Sequence, residues 1–376
     1  MILLKANRDV LLKPIQQIAG IVERRHTLPI LSNILIQKKG SLISFIATDI
    51  EIQISAALTN ETSAEETSLT VSARKFLEIL RALPTNDELT LSIQANNRLV
   101  IQQGRSKFSL QTLSADEFPT ILAQADSRKN LKISERQLKS VINLTSFAMA
   151  QQDIRYYLNG MLFVFEPGLM RSVTTDGHRL AYAQCALASQ TKQGEQSEEV
   201  SEVIIPRKAI NELQKILEDT DNEIDVFVGA NQITFSFRNI NIISKLIEGK
   251  FPDYQRVVPT KHSKHFIIDR ELFAGALQRA AILTTDKFKG VRVILTTDQL
   301  RISSTNAEQE EAQEDLAVTY SGDPLDIGFN VQYLIDVLAN IKVADIKLSL
   351  EDQNSSALIS ADAIEDYRYV VMPMRI

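Results

Sequence analysis

Apolar residues recur along this chain in two periods, and the two alternate three times over. Ala73, Phe76, Leu77, Leu80 and Leu83 keep the i, i+3, i+4, i+7 spacing of a one-faced helix, and Pro84 marks its stop. Val331, Leu334, Ile335, Leu338 and Ile341 repeat that spacing behind Asn330, whose side chain suits an N-cap. A third such helix carries Ile210, Leu213 and Leu217, with Pro206 expected in its first turn. Between helices, LTLSI (89–93), IDVFV (224–228), ITFSF (233–237) and IKLSL (346–350) alternate apolar and polar residues, as half-buried antiparallel strands do. The first helical segment, NRDVLLKPIQQIAG, is expected to break at Pro14.

These elements form three copies of one plan. ARKFLEILRALP closes on DEFP (116–119), PRKAINELQKIL on GKFPDY (249–254), and NVQYLIDVLANI on YVVMP (369–373). Ahead of them, NRDVLLKPIQQIAG leads to ATDIEIQIS, SERQLKSVINLTSFA to TTDGHRLAY, and DRELFAGALQRAAIL to SSTNAEQEE. Asp49, Asp176 and Asn306 fall at equivalent places, 127 and 130 residues apart. Each copy reads helix, strands, helix, strands: two helices over one face of antiparallel sheet. The expectation is an α+β chain of three similar domains, 1–125, 129–256 and 257–376, jointed within 120–130 and 257–265. A length of 376 residues suits two or three cores. Loop 194–202 is too short and internal to be a linker.

Composition narrows the function. No apolar run approaches the roughly 18 residues of a membrane span. MILLKANRDV lacks the basic-then-apolar order of a secretion signal, so a cytoplasmic protein is expected. The single cysteine, Cys185, excludes an internal disulfide framework and a cysteine-based zinc site. A net charge of −6 argues at first against nucleic acid. Its distribution changes that picture. Helical windows 8–25 and 73–83 carry +2 each, 134–149 and 207–218 carry +1 each, and 269–283 and 330–342 are neutral. The helical windows thus total +6 and the rest of the chain −12. Solvated helix faces would explain this, and so would a shared basic surface turned to a polyanion. Arg24, Arg25, Arg74, Lys75, Arg81, Gln151, Gln152, Arg155, Tyr156, Tyr157, Arg207 and Lys208 mix cations with neutral donors, as backbone contacts do. No helix is dense enough in Arg and Asn to read bases, so any DNA would be bound without regard to sequence.

TTDGHRLAY (174–182) holds the chain's one concentration of reactive types. If it were strand, Asp176 and His178 would share a face. A hydrolase would need a nucleophile and a base oriented by a third group. The other histidines, His26, His262 and His265, sit in unrelated segments. H-E-x-x-H, G-x-S-x-G and a phosphate loop ending in Lys-Ser/Thr are absent from the sequence. A plain structural turn is the competing reading.

In order along the whole chain, ARKF, RYYLNGMLF, TDGHRLA, PRK, SKLIEGKFPDY, FKGVR, NAEQEEA, GFNVQYLIDVL and YVVMPMRI resemble the sliding clamps, the β subunits of bacterial DNA polymerase III. The resemblance implies a non-catalytic processivity factor without cofactor or metal. Two subunits would join head to tail into a ring of six domains, with helices lining a hole around duplex DNA. A separate clamp-loader ATPase would open it, and replicative and repair polymerases would dock through short linear motifs. It implies a peptide pocket at Arg155, Tyr157, Leu158, Thr175, Gly177, His178, Arg179 and Leu180. Pro252, Arg256, Val257, Phe288, Asn330, Tyr333 and Ser356 would join it, with the tail residues Val370, Val371, Met372, Pro373, Met374 and Arg375. Leu158, Leu180, Val257, Val371 and Met372 would be its floor, and Asn354 departs from the family's apolar residue there. The lumen contacts would be Arg25, Arg74, Arg81, Gln152, Tyr156, Tyr157, Arg207 and Lys208. Lys75, Arg105, Lys107 and Phe108 would meet Ile282, Leu283, Glu308, Glu311 and Glu314 of a second subunit. Rival expectations are a hydrolase at Asp176 and His178, and a three-domain scaffold that never encircles DNA.

Overall fold

The computed structural model describes residues 1–22, 28–59, 66–85, 87–94, 97–123, 129–187, 200–285 and 289–376. Each repeat contributes two rows of four antiparallel strands. In the first repeat, one row is Ile2–Asn7, Glu88–Gln94, Arg98–Gln103 and Ser106–Leu113; the other is Thr67–Ser72, Asn33–Lys39, Leu42–Thr48 and Ile52–Thr59. The second repeat places Lys129–Ser134, Glu223–Val228, Gln232–Phe237 and Ile240–Lys245 in one row. Its other row is Ser201–Pro206, Gly160–Glu166, Leu169–Thr175 and Arg179–Ala186. The third has Lys264–Asp269, Asp345–Leu350, Ala357–Ser360 and Arg368–Val371, then Leu325–Asn330, Gly290–Thr296, Gln299–Thr305 and Glu311–Ala317.

Rows join across repeats. Ile52–Thr59 pairs with Ile240–Lys245, which extends the first repeat into a 12-stranded sheet. Arg179–Ala186 pairs with Arg368–Val371 in an 8-stranded sheet, and the last row stands alone as a 4-stranded sheet. Compactness therefore groups the chain into two units. One is Met1–Arg136 with Asn211–Leu246 and holds the 12-stranded sheet; the other is Gln137–Ile210 with Ile247–Ile376 and holds the remaining two.

The helices follow the expected periods. Ala73–Ala82 buries Ala73, Phe76 and Leu80, and Val331–Asn340 buries Val331, Leu334, Val337 and Leu338. The Asn330 side chain caps the latter by accepting from Gln332 N at 3.0 Å. Asn7 and Asp269 cap Arg8–Ile18 and Arg270–Ala281 in the same way. Two expectations give way. Arg8–Ile18 runs through Pro14, because the carbonyl deprived of its partner belongs to the exposed Val10 while the ring itself packs into the core. Pro206 ends a strand, and the helix Arg207–Ile216 begins one residue later. ITFSF is also buried on both faces rather than one, with Thr234 and Gln232 enclosed as well as Ile233 and Phe235.

Candidate functional site

The segment TTDGHRLAY is a strand, a tight turn and a strand, so Asp176 and His178 lie in the turn and share no strand face. Asp176 Oδ1 accepts from His178 N at 2.9 Å and Arg179 N at 3.1 Å, while Oδ2 accepts from Arg179 Nε at 3.0 Å. Thr175 Oγ1 closes the turn by donating to Arg179 O at 2.6 Å and accepting from Gly177 N at 3.1 Å. Gly177 has φ +90°, and a Cβ there would stand 2.9 Å from the Arg155 guanidinium, so a larger residue would be strained and would displace Arg155. The carboxylate is thus committed to holding the turn. Asn306 repeats the device, accepting from Glu308 N at 3.1 Å and Glu310 N at 2.9 Å.

Arg179 is the hub. It donates to Asp336 Oδ2 at 2.6 Å and Phe147 O at 2.9 Å, and its guanidinium lies 4.5 Å from the Tyr333 ring centroid. Burial opposes its charge, but Tyr369, Asp336 and Asp176 outweigh that and raise its pKa above the usual range. His178 stacks on Tyr333 with centroids 6.5 Å apart. Arg155 is held by Asp153, whose carboxyl the Arg155 hydrogen bonds bring down to about 2.

Beside this network opens a cavity of about 180 Å³, lined by Arg155, Tyr157, Leu158, Thr175, Gly177, His178, Arg179, Leu180, Pro252, Val257, Val370 and Met372. Twelve of the expected pocket residues therefore come together. Its floor differs in two respects. Val370 faces the cavity beside its registered partner Leu180, and Val371 points to the opposite side of the strand, fully buried. Met372 is partly exposed at the rim, pinned by its N–H donating to His178 O at 2.9 Å. The geometry offers an apolar slot with Arg and His at its edge, suited to one or two aliphatic or aromatic anchors. A polar cleft of about 310 Å³ adjoins it, sharing Arg155, His178 and Arg179 and adding Gln151, Asp153, Asp176, Arg207 and Tyr333 among others.

Three family profiles match the chain in sequence: the DNA polymerase III beta subunit N-terminal domain over 2–122, its central domain over 132–253 and its C-terminal domain over 255–375. The beta sliding clamp of Pseudomonas aeruginosa is 43% identical over 98% of both chains, and that of Escherichia coli K12 is 42% identical over the same share. The crystal structure of the P. aeruginosa clamp superposes with a TM-score of 0.93 at 41% identity, covering 100% of both chains. A Caulobacter crescentus clamp follows at 0.91 and 34%, covering 100% of this chain and 99% of its own. The chain belongs to the β sliding clamp family of DNA polymerase III. Its fold is the three-domain clamp fold, and its role is that of a processivity factor in DNA replication; the scaffold alternative is not favoured. A P. aeruginosa clamp is known bound to griselimycin.

The clamp leaves other expected pocket residues outside the cavity. Asn330 caps its helix, Tyr333 lies in the polar cleft, and Arg256 pairs with Asp253 on the surface. Ser356 offers its carbonyl to His262 Nε2 at 2.9 Å. Met374 N–H is tied to Gly328 O at 2.7 Å, and neither Pro373 nor Arg375 lines the cavity. Asn354 sits in an exposed turn held by Asp352 and does not line the cavity. Phe288 lies outside the described residues, as do Arg24, Arg25 and His26. Sequence reasoning missed the residues that hold the site: Phe147, Asp153 and Asp336. No local pattern marks them, because each acts through a partner distant in sequence or in a loop.

Of the expected lumen residues, Arg74 pairs with Glu78 at 2.7 Å, and Arg81, Gln152 and Tyr156 are exposed. Gln152 holds φ +54°, at the tip of the loop before Tyr156. Arg207 donates to Met149 O at 2.7 Å and Ala150 O at 3.2 Å; burial and then the charge of Arg179 lower its pKa. Lys208 is half-buried, and Tyr157, expected both in the pocket and in the lumen, lies in the apolar cavity. Phe108 is 36% exposed beside Lys75, Glu78, Ile79, Ala82 and Leu110, which with it line a second apolar depression. Ile282 is 75% exposed with Leu283 half-buried beside it. Lys75, Arg105 and Lys107 are exposed, as are Glu308 and Glu311, whereas Glu314 is engaged by Arg279 at 2.6 Å.

Proposed function

We propose that this clamp acts as a head-to-tail homodimer closed around duplex DNA in the cytoplasm. It captures polymerases and other partners through short linear motifs in the slot at Leu180, Val370 and Met372, and catalyses nothing itself. One observation carries the ring. Each internal junction pairs the last strand of one row with the last strand of the next repeat's row, and one pair of this kind is left over. Glu311–Ala317 ends its sheet, and Ser106–Leu113 meets Thr67–Ser72 only at Leu113 and Thr112. Joining these two edges between chains repeats the internal junction and closes after two subunits of three domains each. The family matches at 2–122, 132–253 and 255–375 support domains close to 1–125, 129–256 and 257–376.

Arg74, Arg81, Gln152, Tyr156, Arg207 and Lys208 serve in this reading as weak contacts to phosphate or sugar, with Arg25 expected among them. Sliding needs a flat energy surface, so such contacts are few and unspecific. A sequence without a phosphate-binding loop leaves ring opening to a separate clamp-loader ATPase. The test loads the clamp on a nicked circle with such a loader and ATP. Loaded rings should withstand salt that strips simple electrostatic binders, and linearising the circle should release them at constant salt. Equal retention on circular and open-ended linear DNA would sink the ring. For the slot, a labelled peptide with Gln followed by Leu and Phe anchors should bind wild type at least tenfold tighter, by fluorescence anisotropy, than a chain lacking residues 372–376.

A further inference from the structure

The turn beside the slot has a twin at the first junction. Thr48 Oγ1 donates to Ile52 O at 2.8 Å and accepts from Ile50 N at 3.0 Å, while Asp49 Oδ1 accepts from Glu51 N at 3.0 Å and Ile52 N at 2.8 Å. Thr175 and Asp176 make the same four bonds 127 residues later. The strand register matches too: Gln53 faces Ile243 as Leu180 faces Val370. Beneath, Leu31, Ile46 and Phe118 pack together as Leu158, Val173 and Phe251 do.

What lies over the two junctions differs. After Phe251 the chain turns into the short helix Tyr254–Val257 and leaves the slot open. After Phe118 it runs on, in neither helix nor strand, as a strap that Gln53 grips at both main-chain groups of one residue. Gln53 Nε2 donates to Ile121 O at 3.1 Å, and Oε1 accepts from Ile121 N at 2.7 Å. Gln232 Nε2 adds a bond to Leu122 O at 3.2 Å. Both glutamines are 7% exposed, so these amides have little access to water as an alternative partner. At the place of Gln53 the slot has the apolar Leu180, which cannot grip a main chain.

We propose that the first junction is a second peptide-binding site, closed at rest by the chain's own residues 119–123. It takes an extended peptide with an aliphatic anchor when that strap lifts. The proposal rests on the slot at Leu180 being a peptide site. The strap is itself such a ligand: it is in neither helix nor strand, is held through its main chain, and carries Ile121 half-buried beside the exposed Leu122. Main-chain bonds to Gln53 are indifferent to sequence, so another peptide can replace them one for one. A tethered strap acts at an effective concentration on the order of millimolar, which keeps micromolar peptides out. Ile50, at φ +79° where Gly177 has +90°, packs against the Phe118 cluster and narrows this site relative to the slot. The second site is therefore the weaker one.

The test uses the full chain with Gln53→Leu and Gln53→Glu; the second keeps the side chain's size and its acceptor but loses the donor. Hydrogen exchange reads the strap and calorimetry reads the stoichiometry of the Gln-Leu-Phe peptide. The Ile121 amide should exchange at least tenfold faster in Gln53→Leu, and in Gln53→Glu the loosening should be smaller. Stoichiometry is read in Ile121→Pro, which takes the strap's N–H from Gln53 Oε1 and leaves the glutamine free to grip a peptide; there it should rise from one to two per chain, with the added site weaker. Unchanged exchange at Ile121 in Gln53→Leu would remove the strap, and stoichiometry still one in Ile121→Pro would remove the second site. If wild type bound no peptide at all, the earlier reading of the slot would fail instead, and the exchange data would still judge the strap.

Discussion

Asp176 accepts from two main-chain amides and from Arg179, and an aspartate so engaged acts as a bracket. Asp176→Ala leaves two N–H groups of the turn without their acceptor, an expected cost of about 1–3 kcal/mol in urea unfolding. Asp176→Asn keeps an acceptor and should lose less; equal losses would mean the turn is held otherwise. Asp153 gives a pH signature. Its folded carboxyl, held down to about 2 by Arg155, lies below its ordinary value of 3.8. A depressed acid stabilises the fold fully above its unfolded pKa and loses that contribution as pH falls toward the folded value. The stability gap between wild type and Asp153→Asn should therefore shrink from about pH 4 to about pH 2; a gap unchanged across that window contradicts the Arg155 bond. The equivalence of Asp49, Asp176 and Asn306 was legible from spacing alone. The partnerships of Asp153 and Asp336 were not, since a carboxylate on a loop or an exposed helix face looks alike whether or not an arginine reaches it.

Helices and strands follow from periods, and their caps from one residue each. Asn330→Ala should cost about 1 kcal/mol by removing the cap on Val331–Asn340, and Asp269→Ala about the same on Arg270–Ala281. Thermal unfolding checks both, and no change in either variant would mean water replaces the cap freely. Peptide affinity at the slot should move little in Asp269→Ala, whose helix contributes no slot residue. The joining of rows across repeats was not legible. Alternation says which face of a strand is buried and leaves open which strand lies beside it. The same gap explains Val371: both valines are apolar, and only the register of Arg368–Val371 against Arg179–Ala186 turns Val370 toward Leu180. Pro14 misleads for a different reason, since a proline interrupts one hydrogen bond and an exposed carbonyl can bear that loss.

At the scale of the molecule, the left-over strand edges carry unequal chemistry. Ser106–Leu113 presents Lys107 and Phe108, next to a depression bounded by Ile79 and Ala82. The segment after Arg270–Ala281 presents Ile282, three-quarters exposed, with Leu283 behind it. The acidic strand Glu311–Ala317 is partly spoken for, because Arg279 holds Glu314 and Arg301 holds Asp315. Exposed ion pairs contribute about 0–1 kcal/mol each, whereas a central apolar anchor contributes about 2 kcal/mol or more. The apolar pair should therefore set dimer affinity and the charges its register. Ile282→Ala with Leu283→Ala is expected to give monomers in sedimentation at concentrations where wild type is dimeric. Lys107→Glu should weaken the dimer chiefly at low salt, since screening over roughly 10 Å at 0.1 M removes the repulsion it creates. Glu314→Ala should do least, because its carboxylate already has a partner in its own chain. An undisturbed dimer in the double variant, with monomers from Glu314→Ala, would reverse that order and make the charged strand the anchor of the interface.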